Sequence, residues 1–241
     1  MKNHYFNILK DEIFKDKYQK TDLLKDKYLI NKLNDIEIYY APFEYVNREA
    51  KVVIVGITPG WTQMEKSFSV AVGASKNLIT DSDILKLVKV KSSFAGSMRN
   101  NLIKMLDDLE LNFKLNLSSC QELFKIDNHF LHSTSALKYP VFKKDKNYTG
   151  SSPSAIKNKL LWSQIEENLI PELSNFKNKL IIPLGKNVND ILFKLKLENK
   201  LNNNIILEGF PHPSGANGHR VSQFNAHKAL MMEMLRTWEI N

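Results

Sequence analysis

Lys51-Val52-Val53-Ile54-Val55-Gly56-Ile57-Thr58-Pro59-Gly60 is the stretch from which the fold follows. Val52 to Val55 are β-branched without interruption. A run with no polar alternation predicts a strand covered on both faces, as in a parallel sheet under helices. Gly56 ends it, and the residues after it have turn chemistry: glycine permits positive φ and proline fixes φ.

Strand-like runs recur downstream at 128–137, 179–184 and 204–207. Pro183 has no N–H to give a ladder, so it belongs at the end of its strand. Helical spacing fills the gaps. Leu102, Met105, Leu106 and Leu109 mark one helix over 97–111. Ile156, Leu160, Ile165 and Leu169 mark another over 154–169, with Ser152-Pro153-Ser154 as its start signal. Val188, Ile191, Leu192 and Leu195 follow Gly185, and a last helix covers 222–238. Towards the N-terminus, Phe6, Leu9, Ile13, Phe14, Leu24, Tyr28 and Leu33 predict an amphipathic helical extension over 1–40. Strands alternating with helices give an α/β fold: three α/β/α layers around a central four-stranded parallel sheet, in one domain spanning 1–241.

The chain has 241 residues, a formal charge of +8 and one cysteine, Cys120. Excess cationic charge favours polyanion partners, because each neutralised phosphate releases counterions; a solvated basic surface would give the same count. A single thiol excludes an internal disulfide and a Cys-rich metal or iron–sulfur site, and it fits a reducing cytoplasm. No apolar run approaches the roughly 18 residues of a membrane helix, and residues 1–10 have no signal-peptide core. His129, His132, His212, His219 and His227 lack a metal-ligand spacing. The expectation is a cytoplasmic monomer without metal or cofactor.

Two loops follow strands: Gly56–Gly60 and Pro211-His212-Pro213-Ser214-Gly215. Loops after parallel strands leave by the same carboxyl edge, where such sheets bind ligands, so these two should meet in space. His212 sits between two prolines, a stiff setting suited to a functional imidazole.

Val55-Gly56-Ile57-Thr58-Pro59-Gly60, with His212-Pro213-Ser214-Gly215-Ala216-Asn217 far downstream, resembles the two signature motifs of the uracil-DNA glycosylase superfamily. Phe94-Ala95-Gly96-Ser97 resembles its Phe-x-Gly segment. Ser133 to Pro140 resembles the strand that reads the base edge, and Leu184-Gly185 a Leu-Gly before a helix. The likeness covers roughly residues 42–225, in the family's order.

The resemblance implies a DNA partner and a base flipped from the stack into a pocket. It casts His212 as the donor to the departing base, with Thr58 in the water-positioning loop. Gly56, Ile57, Pro59, Phe94, Thr134 and Ser135 would surround the base, Phe94 by stacking. Ser214, Asn217, His219, Arg220 and Tyr148 would meet DNA. Arg99, Lys138, Lys143, Lys144 and Lys146 are further candidates for phosphate.

Two departures from the family bear on chemistry. Uracil-cutting members carry Asp or Asn where Thr58 stands, or Glu where Ile57 stands, and a threonine is a poor proton acceptor. Glu65, Asp81 and Asp145 are substitute bases to consider. Uracil readers also place Asn where Ser135 stands. The long segment 63–93 is read as a lid over an enlarged pocket, or else as a packing excursion. Together these point to a bulkier target, such as a modified or glycosylated pyrimidine of phage DNA. Two other readings keep the fold: a DNA-binding module that senses a base without cutting it, and an enzyme on free nucleosides or nucleotides.

Overall fold

Gly56 pairs with Ser135, and Val55 with both Thr134 and Pro183, which brings the ends of three parallel strands level. This register belongs to a computed structural model that describes residues 2–94 and 96–240. Ala95, inside the Phe-x-Gly segment, lies outside the described residues.

Among the described residues the strands are β1 (Leu29–Leu33), β2 (Ile36–Tyr39), β3 (Val52–Gly56), β4 (Leu131–Ser135), β5 (Val141–Lys143), β6 (Lys146–Asn147), β7 (Leu180–Pro183) and β8 (Ile205–Ile206). One sheet has the order β4-β3-β7-β8, parallel throughout. Its four strands are the ones expected, trimmed at their ends, and Pro183 closes β7.

Successive side chains of β3 alternate between two cores, as the pleat requires. Val53 and Val55 pack with Met64, Phe68, Leu161, Ile165, Val188 and Ile191, from helices Trp61–Ser75, Lys159–Gln164 with its π-helical continuation Ile165–Leu169, and Lys186–Leu197. Val52 and Ile54 pack with Leu102, Leu106, Phe224 and Met231, from helices Ser97–Asp108 and Arg220–Thr237. These are the three expected layers.

The N-terminal extension is corrected. Among its described residues, only Lys2–Lys10 and the short Lys20–Leu23 are α-helical. β1 and β2 form an antiparallel hairpin, and β5 and β6 complete a second sheet of order β1-β2-β5-β6. Asn34 turns the first hairpin with φ +54°, and Lys144-Asp145 turns the second with φ of +48° and +59°. Two consecutive residues at positive φ give the hairpin turn whose twist matches the flanking strands. Leu24, Tyr28 and Leu33 share helical spacing by coincidence.

Two further expectations shift. The helix expected from 154 begins at Lys159, where the Asn158 side chain caps the Leu161 N–H at 3.0 Å. The Ser152 and Pro153 carbonyls are instead engaged by Lys143 and Tyr148. Segment 63–93 is a helical hairpin, Trp61–Ser75 followed by Asp81–Ser92, with Met64, Phe68, Ala71, Ile84 and Val88 buried. It is a packed wall and not a lid.

Candidate active site

The two loops meet. Ile57, Thr58 and Gly60 face His212, Ser214 and Asn217 across a cleft of about 760 Å³ at the carboxyl edge. Phe94, Tyr148, Gly185 and Asn187 extend its walls. A second, inner pocket of about 20 Å³ shares Gln63 and Phe94 with the cleft and is lined by Pro59, Lys89, Thr134, Ser135 and Lys138. Of the expected residues, Ile57, Thr58, Tyr148, His212, Ser214 and Asn217 thus line the cleft alone, Pro59, Thr134, Ser135 and Lys138 the inner pocket alone, and Phe94 both. Gly56 lies beneath them; a Cβ there would sit 3.5 Å from both Phe94 and the Ser135 hydroxyl.

His212 is held by a cage of bonds around its loop. The Ser214 N–H donates to Nδ1 at 3.2 Å. An accepting Nδ1 means a neutral ring with its proton on Nε2. Burial lowers the pKa of this imidazole, which favours the same state. Asn217 donates to the His212 carbonyl at 3.2 Å, Asn101 to the Pro213 carbonyl at 2.9 Å, and Arg220 to the Ser214 carbonyl at 2.8 Å. Gly185 permits the approach from below: its φ is +89°, and a Cβ would lie 3.1 Å from the His212 Cβ.

The Thr58 hydroxyl is committed to backbone. It donates to the Tyr139 carbonyl at 3.0 Å and accepts from the Val141 N–H at 3.1 Å. These bonds tie the Gly56–Gly60 loop to the segment joining β4 to β5. Phe94 is buried and takes φ +52°, costly for a residue with a bulky side chain.

Several expected DNA contacts are corrected. Tyr148 is buried with its hydroxyl on the Pro153 carbonyl and forms part of the cleft wall, not an exposed turn. Arg220 is turned inward onto Ser214, while His219 is exposed at the start of the last helix. Arg99 bonds the Val90 and Ser93 carbonyls and packs on Phe124, and Lys138 is buried in an ion pair with Glu172. Lys144 and Lys146 are exposed, and Lys143 reaches Ser152.

The substitute bases fail on position. Glu65 accepts from the Tyr18 N–H, Asp81 pairs with Lys10, and Asp145 sits in the β5–β6 turn. Among the described residues no carboxylate lines the cleft. No group of His, Cys, Asp and Glu among them is arranged to hold a metal, and no helix among them is long and apolar enough to cross a membrane.

Sequence reasoning missed a buried charged cluster under the inner pocket. The Lys89 ammonium donates to the Ser133 carbonyl at 2.7 Å. Glu172 pairs with Lys138 and bonds His132 Nε2 at 2.7 Å. The Asn47 N–H donates to His132 Nδ1 at 3.4 Å, which puts the ring proton on Nε2 and leaves His132 neutral. Burial pushes the Glu172 carboxyl up, but His132, Lys89 and Lys138 outweigh it and hold the group well below the usual range. Burial raises Glu44 to about 7, against the pull of Tyr139, Lys138 and Lys89. No local signal could have found this cluster, because its members come from distant segments.

The chain is 39% identical over 221 residues to the uncharacterized protein YoxB of Bacillus subtilis (strain 168), covering 91% of this chain and 86% of that one. The crystal structure of wild-type Pedobacter heparinus SMUG2 covers 98% of each chain, with a TM-score of 0.48 at 12% identity. The Uracil DNA glycosylase superfamily matches residues 43–236, from Phe43 at the inner pocket into the last helix. The chain belongs to the uracil-DNA glycosylase superfamily.

Proposed function

We propose that this protein is a DNA N-glycosylase that flips a base into the cleft and hydrolyses its bond to the sugar, acting as a one-domain cytoplasmic monomer. The observation that carries the reading is His212: a caged, neutral imidazole with a protonated Nε2, on the rim of a cleft large enough for a nucleotide. As the glycosidic bond breaks, the electron pair leaves with the base and negative charge grows on its carbonyl oxygens. A fixed donor there lowers the barrier by roughly 3–4 kcal/mol. Gly56, Ile57, Pro59, Phe94, Thr134 and Ser135 surround the base, with Ser214, Asn217 and His219 next to the DNA strand.

Water needs less help when the leaving group is stabilised this strongly. Thr58 shapes the loop that the water would enter, and the side-chain oxygen of Asn187, whose amide nitrogen is bonded to Ser151 and Thr149, offers a second orienting group. Ser135 in place of a uracil-reading amide supports a modified pyrimidine as target, and modified phage DNA is a natural source of one.

Labelled oligonucleotides carrying uracil, hydroxymethyluracil, hypoxanthine or glucosylated hydroxymethylcytosine, followed by alkali, test the reading. Abasic sites made by the wild type and lost in His212→Ala are expected. The committed Thr58 hydroxyl and the absence of a described carboxylate from the cleft favour a second reading, a base-sensing module without chemistry. Tight, salt-dependent DNA binding with no strand breaks on any substrate would establish that one.

A further inference from the structure

His212 does not line the inner pocket, which lies over the buried charged cluster. The pocket is polar: Lys89 and Lys138 line it with Ser93, Ser133, Thr134 and Ser135, and Phe43 and Pro59 close its sides. At about 20 Å³ it admits one water-sized group. A pyrimidine ring does not fit, but a single substituent or ring oxygen does.

Its charge is one-sided. Two ammonium groups, each more than nine-tenths buried, face it. Only Glu172 is held firmly ionised against them, since His132 is neutral and Glu44 is raised to about 7. Lys89 has three donor hydrogens and spends one on the Ser133 carbonyl. The Ser135 hydroxyl, level with Gly56, makes no hydrogen bond among the described residues. Excess positive charge, spare donors and a small opening next to Phe94 select an oxygen that only accepts.

We propose that Lys89, held with Lys138 over Glu172, reads the flipped base by taking an acceptor-only oxygen into the inner pocket: the carbonyl at C4 of the ring or a carboxylate carried at C5. An exocyclic amine would meet ammonium donors with its own hydrogens and be rejected. This rests on the glycosylase reading and names what that site selects. It also adds to catalysis. When the C1′–N bond breaks, both electrons stay with the base, and its oxygens gain charge beside the ammonium. Water delivers hydroxyl to C1′, and its remaining proton neutralises the base.

Removing one such donor from a comparable site costs about 10²–10³ in rate. The test compares wild type, Lys89→Met and Lys89→Arg on oligonucleotides carrying uracil, 5-carboxylcytosine or cytosine, with circular dichroism to check folding. Single-turnover excision and binding anisotropy are both measured. Uracil reports the ring carbonyl and 5-carboxylcytosine the carboxylate. The expected result is excision of at least one of these over cytosine, an approximately 100-fold loss in Lys89→Met with bulk DNA affinity kept, and partial rescue in Lys89→Arg. Burial lowers Lys89 to about 8, amid Glu172, Lys138 and Glu44. Wild-type excision should therefore fall above pH 8, and that limb should move up in Lys89→Arg.

A folded Lys89→Met protein that cuts at the wild-type rate with unchanged base preference would overturn the inference and leave the glycosylase reading standing. If the wild type cuts nothing, the glycosylase reading fails and binding decides. Tighter binding of the uracil or the 5-carboxylcytosine oligonucleotide than of cytosine, lost in Lys89→Met, supports the pocket; equal binding of all three overturns it.

Discussion

Lys89→Met should make the protein more stable at pH 7. Burial lowers the Lys89 ammonium from 10.5 to about 8, opposed by Glu172 and Glu44 and reinforced by Lys138. At about 1.4 kcal/mol per pH unit, keeping that charge in the fold costs about 3 kcal/mol. Methionine keeps most of the stem's volume and carries no charge. Against the gain stands the bond to the Ser133 carbonyl, a charged-donor bond of about 1.5–3 kcal/mol. Glu172 keeps His132 and Lys138. The net gain is about 1 kcal/mol, or a Tm higher by about 2–4 °C in a chain of this size. The sign of the pH dependence is fixed. A lysine titrating lower when folded than unfolded is penalised in full below pH 8, and the penalty is relieved between pH 8 and 10.5. Wild type should gain stability over that window and the variant should not, so their Tm difference should close. Thermal melts followed by circular dichroism across that window and down to neutral pH measure this. A variant that melts below wild type at pH 7, with a difference independent of pH, would refute a costly buried ammonium.

Gly185→Ala forces a Cβ against His212 at φ +89°, so a loss of roughly 1–2 kcal/mol in stability is expected; a parallel drop in excision would separate a displaced His212 from a strained turn. Thr58→Val removes two backbone bonds and should cost about 1–3 kcal/mol in a denaturant melt. If Thr58 only shapes its loop, single-turnover excision falls less than about 10-fold, whereas a loss of about 100-fold or more would restore a water-activating role. DNA affinity should fall linearly with salt on a log–log plot. Lys146→Ala, at the exposed edge of β6, should flatten the slope by about 0.9 if that ammonium meets a duplex phosphate; an unchanged slope would remove it from the interface.

β3 and β7 are legible because they are short apolar runs rich in Val and Ile and buried throughout, whereas β4, Leu-His-Ser-Thr-Ser, is polar and shows only as part of a longer run. The meeting of residues 56–60 with 211–215 is legible because strand ends in a parallel sheet share an edge. The antiparallel sheet is not. β1 alternates poorly, with Asn31 and Lys32 adjacent and exposed, and β5 and β6 are too short to show a period. The inner pocket is still less legible. Lys89 sits among lysines in a helix whose pattern predicts a solvated face, and Lys138 reads as one more surface cation. Both are buried because β4 packs against the 81–92 helix and Glu172, a tertiary fact without a sequence period. Tyr148 fails the other way: its motif-like turn looks exposed, but the hydroxyl finds the Pro153 carbonyl and the ring goes inside.

The missing carboxylate and the excess lysine fit one chemical economy. A glycosidic bond can be broken by pushing with an activated water or by pulling on the leaving base. Thr58 has its hydroxyl on the backbone, and no described carboxylate reaches the cleft, so the push is weak. The pull is strong on this reading: a neutral donor at His212 on one wall and a buried ammonium at Lys89 on the floor. Each fixed donor lowers the barrier by roughly 3–4 kcal/mol, and a dry site strengthens both. The cost falls on the fold, which holds two lysines away from water over Glu172. Stability lost at a site where charge must develop is the usual signature of function. A variant that melts higher and cuts more slowly would display both sides of that exchange in one side chain.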